Sequence, residues 1–149
     1  VAREKKAVVS AASDFVPVAS GGLLELPFSK KKDGTSNWVR LKRLEPAEAL
    51  LLLEGIPALA ASEEKESNAS VFWKERVPGL VKAGVVEPEF TFEQGGEPGK
   101  VSWSGLSFGD QVAIVNRLLH LNGMLAEVPA ALGRFLPDEE EGRADGEGA

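Results

Sequence analysis

Cysteine is absent from the 149 residues, and its absence excludes disulfides, thiolate metal sites and cysteine nucleophiles. Tyrosine is absent as well, and the one histidine, His120, has no second imidazole with which to build a multi-histidine metal centre. Any serine triad would have to use that same ring. Long apolar runs are missing too. The longest, Ala49 to Leu53, is five residues beside Glu48 and Glu54, far from the roughly 20 needed to cross a bilayer. Basic residues are in the minority, 17 against 23 acids for a net charge of -6, which lacks the surplus of a whole-domain nucleic-acid binder. Arg3, Lys5 and Lys6 lead into Ala-Val-Val-Ser, not into the apolar centre of a secretory leader, so a soluble, cytoplasmic protein is expected.

What is present suffices for one core: 43% of the residues are hydrophobic, and the length fits a single domain. Charge is distributed unevenly. Residues 138–149 carry six acids (Asp138, Glu139, Glu140, Glu141, Asp145, Glu147) against Arg143, and none of their side chains is an apolar group larger than alanine. Such a segment cannot bury enough surface to offset its ordering entropy and reads as a disordered acidic tail. Residues 1–20 read as a flexible N-terminal arm, leaving 21–137 as the globular domain.

The domain opens with a hairpin signature. Leu23 to Phe28 and Asn37 to Leu44 flank a turn containing Asp33-Gly34, with Trp38, Arg40, Lys42 and Leu44 on one face and Val39, Leu41 and Arg43 on the other. A short helix follows from Pro46 to Glu54, stopped by Gly55 and Pro57. Its four consecutive leucines cover more than half its circumference, which predicts burial in the fold or against a partner. Ser67 or Ser70 is expected to cap a helix through Val71–Val77 that Pro78-Gly79 breaks or kinks before Gly84 stops it. Val85 to Pro88 reads as an extended exit, and Phe90-Thr-Phe92 as a short strand that Val101-Ser-Trp103 pairs with. Ser107 to Asp110 resembles a capping box opening a helix that ends at Asn122-Gly123. Met124 to Leu136 is a further apolar stretch, read as a short helix around Pro129. The expected fold class is α+β: a small, helix-dominated domain with an N-terminal β-hairpin.

Candidate chemistry is thin. His120 lies near a helix end without a visible orienting acid or nucleophile, which reads as structural. Glu63, Glu64 and Glu66 lack any calcium-loop spacing, and Gly95, Gly96 and Gly99 are not followed by the lysine and hydroxyl of a phosphate-binding loop. Lys30, Lys31, Lys32, Arg40, Lys42 and Arg43 form a basic cluster, yet no exposed aromatic series is visible beside it in the sequence, so nucleic acid is not an expected partner. Trp38, Trp73 and Trp103 read as core anchors. No catalytic residue, cofactor or metal is expected.

The order of these marks is the informative feature. Leu24-Glu-Leu26-Pro27 precedes Val39-Arg-Leu41-Lys-Arg43-Leu44; then come Glu54-Gly-Ile56-Pro57-Ala-Leu59, Gly84-Val-Val-Glu-Pro88 and Leu106-Ser-Phe-Gly-Asp110-Gln-Val-Ala-Ile114. This succession, covering residues 22 to 122, resembles the tail assembly chaperones of long-tailed, siphovirus-type phages. The resemblance implies a non-catalytic protein of the host cytoplasm, absent from the finished virion. It implies binding of the tape measure protein, which is kept soluble while tail tube protein polymerises around it. The competing readings are a structural tail or head-completion subunit retained in the virion, and a regulator that binds nucleic acid through the basic hairpin. Physical chemistry accords with the chaperone: surplus apolar helix surface can cover apolar stripes on a helical client. The candidate partner-binding residues are Leu51, Leu52, Ile56, Leu59, Val112, Val115 and Leu119.

Overall fold

The computed structural model describes residues 7–16, 19–53, 70–123 and 133–138. Both helices and strands are present, so the fold is α+β. The hairpin is the centre of the molecule. Strand β1 (Gly21–Lys30) pairs antiparallel with β2 (Ser36–Lys42), Leu24 opposite Val39 and Gly22 opposite Leu41. The turn forms as the sequence predicts: Gly34 has φ +91°, and the Asp33 carboxylate accepts from the Thr35 amide at 2.9 Å and its hydroxyl at 2.7 Å. Those bonds to Thr35 hold the Asp33 carboxyl below the usual carboxylate range.

Strand β2 leads into α1 (Pro46–Leu53), and a π-helical turn, Phe72–Arg76, runs into α2 (Val77–Gly84). The turn carries the break that Pro78 was expected to cause. Proline cannot donate to the carbonyl one turn back, and just before it the Val77 amide reaches the Phe72 carbonyl, a five-residue spacing. The helix therefore continues with a local change of register. Ser70 is already helical, so it does not cap the helix, and Ser67 lies outside the described residues.

The chain then makes β3 (Val85–Glu87), β4 (Phe90–Thr91), β5 (Val101–Ser102) and α3 (Phe108–Leu121), and closes with β6 (Phe135–Pro137). The main sheet has the order β3-β2-β1-β6, all neighbours antiparallel. A separate two-stranded pairing joins β4 to β5, in parallel. The hairpin thus gains a strand on each side from remote parts of the chain, which local pattern could not show. The short helix expected around Pro129 falls in residues 124–132, which lie outside the described residues, and the end of that apolar stretch forms β6.

One face of the sheet packs on the helices as a two-layer domain. Leu24 and Leu26 from β1, Val39 and Leu41 from β2, Val77, Leu80 and Val81 from α2, and Ile114 and Leu118 from α3 form one buried cluster. Val39 and Leu41, which strand alternation puts on one face, are both buried, so that face is the inner one. Leu44, placed on the opposite face by strand alternation, is also buried because β2 ends at Lys42 and the alternation ends with it. The Asn122 side chain closes α3, donating to the Leu118 carbonyl at 2.7 Å and accepting from the Leu44 amide at 3.0 Å.

Sheet hydrogen bonding extends one residue beyond 21–137 at each end. The Ser20 carbonyl accepts from the Arg43 amide at 2.7 Å, and the Asp138 amide donates to the Gly21 carbonyl at 2.9 Å. Asp138, assigned by charge to the tail, also pairs with Arg40 at 3.2 Å. The arm contributes one exposed 3-10 turn, Ala12–Asp14; residues 139–149 lie outside the described residues.

Gly22 lets β6 approach: a Cβ there would strike the Leu136 carbonyl oxygen and come within 2.8 Å of the Phe135 ring. Gly22→Ala is expected to release β6 and leave the hairpin paired. Hydrogen exchange should show lost protection at the Leu136 and Asp138 amides with Val39 and Leu41 still protected; full protection of those two amides would contradict the steric argument.

Candidate functional site

Three surface features hold the residues that the core does not use. The first is α1. A helix turns about 100° per residue, so residues three apart share a face. Ala49 and Leu52 point at the core, and Leu52 covers Gly79, where a Cβ would sit 2.9 Å from its Cδ2. Arg76 fixes the end of the helix by donating from Nη1 to the Leu51 carbonyl at 2.8 Å. Leu50 and Leu51 point the other way and are 70% and 68% exposed. The four-leucine helix is thus anchored on one side and bare on the other.

The second is an aromatic ridge at the start of α3. Phe28 and Phe108 are 63% and 67% exposed. The Phe28 ring lies over Gly109, whose missing side chain leaves room for it, and Phe108 stands 5.5 Å from the half-buried Trp73. Between Glu25 and Lys30 the pairing of β1 with β2 slips, which takes the Phe28 amide out of the ladder. That amide donates instead to the Asp110 carboxylate at 2.9 Å. Asp110 is 1% exposed, and its own amide donates to the capping Ser107 hydroxyl at 3.2 Å. The expected capping box is therefore half formed: Ser107 caps α3, while the acid serves the hairpin. Its place in the first helical turn suits a buried anion, because the helix dipole is positive there.

The third is a groove of about 770 Å³ between the start of α1 and the end of α3, lined by Ser20, Arg43, Glu45, Pro46, His120 and Asn122 among others. His120 is half-buried and its Nδ1 has no hydrogen-bond partner. Among the described residues, Ser20 and Glu45 share the groove without bonding that nitrogen. Among the described residues no cluster of three His, Asp or Glu side chains is placed to hold a metal ion, and no helix is long and apolar enough to cross a membrane.

The expected partner-binding residues separate clearly. Leu51 is open to solvent, Leu52 half-covers the core, and Val112 is half-buried. Val115 and Leu119 are corrected: both are buried, because the stripe they share on α3 faces inward, so neither can meet a partner in this fold. Ile56 and Leu59 lie outside the described residues. Leu50, Phe28 and Phe108, which are not among the seven candidates, are exposed as well; hydrophobic pattern does not distinguish them from buried neighbours.

The basic cluster also divides. Arg40 is held between Glu87 at 3.7 Å and Asp138 at 3.2 Å, whereas Lys30, Lys31 and Lys32 are exposed at the hairpin tip. Of the tryptophans, Trp103 is a core anchor against Phe90 and Phe92. Trp38 is half-buried with the Arg134 guanidinium 5.0 Å from its ring. Arg117 lies 4.4 Å from the Phe135 ring, and burial pulls its guanidinium below its ordinary range. Comparison with family models, curated proteins and solved structures finds no match.

Two outcomes check this assignment. Asp110→Ala is expected to lose about 1–3 kcal/mol in urea denaturation, because the Phe28 amide is left unpaired, with Asp110→Asn losing less. Leu50→Ser with Leu51→Ser should stay within about 1 kcal/mol of the parent, whereas Leu119→Ala should cost about 2–5 kcal/mol. The reverse order would place α1 in the core.

Proposed function

We propose that the chain is a non-catalytic assembly chaperone of the kind found in long-tailed phages, binding the tape measure protein in the host cytoplasm and promoting tail tube assembly around it. The observation that carries this reading is the pair Leu50 and Leu51, left bare on a helix whose other side is firmly anchored. Large apolar side chains that the fold leaves in water, on a helix held in place, suit a surface that another polypeptide covers. A tape measure protein is long and helical, and its apolar stripes aggregate when uncovered. Helix-against-helix contact with α1 would cover them. The net charge of -6 helps keep such a complex in solution. The succession of sequence marks from residue 22 to 122 supplies the identity of the client.

Co-expression with the tape measure protein tests the proposal. The client should become soluble and co-purify with the chain, and Leu50→Glu with Leu51→Glu should return it to the pellet without unfolding the chaperone. A client that stays insoluble and unattached would refute the reading. Stoichiometric presence of the chain in purified virions would instead make it a structural subunit.

A further inference from the structure

We propose that the ridge formed by Trp73, Phe108 and Phe28 docks an amphipathic helix whose polar side is acidic. The proposal rests on the client-binding reading and names a second contact surface together with the chemistry of what it takes. Three observations lead to it. The ridge is built, not incidental: a nearly fully buried carboxylate, a slipped strand register and a glycine all serve to hold one solvent-exposed phenylalanine over α3. Side chains preset in this way lose little freedom on binding, which is what makes aromatic anchors effective in interfaces. The spacing also fits. Trp73 and Phe108 stand 5.5 Å apart with their rings in tilted contact, and Phe28 covers the next residue, Gly109, so the three rings offer one continuous apolar strip for the apolar face of a helix.

Charge selects the occupant. Exposed Lys30, Lys31 and Lys32 follow Phe28 at the hairpin tip, and exposed Lys74 follows Trp73. The exposed acids beside them are Asp33, which its bonds to Thr35 keep ionised, and Glu75, two against four lysines, while Asp110 is buried. The flanks of the ridge therefore carry net positive charge although the chain as a whole is acidic. A client helix with glutamate or aspartate beside its apolar stripe would meet complementary charge; a lysine-rich one would be repelled.

NMR of the full chain decides the matter, using two synthetic 18-residue peptides with leucine along one helical face. One carries glutamate on the other face and the second carries lysine. The glutamate peptide is expected to shift the resonances of Phe28, Trp73, Phe108 and Gly109 and to bind at least tenfold more tightly than the lysine peptide. The preference should shrink as salt rises. Phe28→Ser with Phe108→Ser should weaken binding at least tenfold while leaving the thermal midpoint and the remaining spectrum in place. Equal affinity for the two peptides, shifts confined to other surfaces, tighter binding of a 12-nucleotide oligothymidylate, or self-association through the ridge would each overturn the proposal. The two readings fail separately. If the double serine variant still solubilises the tape measure protein, the ridge is excluded and the chaperone stands. If the glutamate peptide seats on the ridge while the tape measure protein stays in the pellet, the reverse holds.

Discussion

One hydrogen bond, from the Phe28 amide to the Asp110 carboxylate, ties the front of the chain to its last long helix. The hairpin and α3 are far apart in sequence, and apolar contact alone lets two smooth surfaces slide. A buried carboxylate favours one position, because a slip takes it from the Phe28 amide in surroundings that solvate it poorly. The register of sheet on helix follows from that contact, as do the placement of Leu24 and Leu26 against Ile114 and Leu118 and the position of Phe28 above Gly109.

How much of this was legible depends on the range of the interaction. The hairpin turn could be read because Asp33 and Gly34 carry their geometry in their own side chains. The cap at Ser107 and the stop at Asn122-Gly123 could be read for the same reason. The direction of β4 and β5, the two outer strands of the main sheet and the role of Asp110 could not, since each depends on residues many positions away. Pro78 shows an intermediate case: the disturbance was foreseeable, but whether the helix would break or widen depended on the packing of Val77 and Leu80 beneath it.

The candidate surface shows the same limit. Hydrophobic periodicity finds the residues that leave water on folding, and it treats Leu50 and Phe108 no differently from Leu119. Only anchoring separates them. Leu52 on Gly79 and Arg76 on the Leu51 carbonyl fix which side of α1 is spent on the core, and what remains outside follows by subtraction. The two bare regions differ in kind, aliphatic on α1 and aromatic with lysines at the start of α3. Such a difference suits a client contacted along some length, with one region supplying area and the other supplying selectivity.

The pairing of Gly22 with Pro137 joins nearly the first residue of the domain to nearly the last. During synthesis the hairpin emerges from the ribosome about a hundred residues before the strand that covers its outer edge. Until then the backbone donors and acceptors of β1 lie open along that edge. The nascent domain is therefore exposed to mispairing along that edge until residues 135–137 have emerged, and the sheet is complete only then.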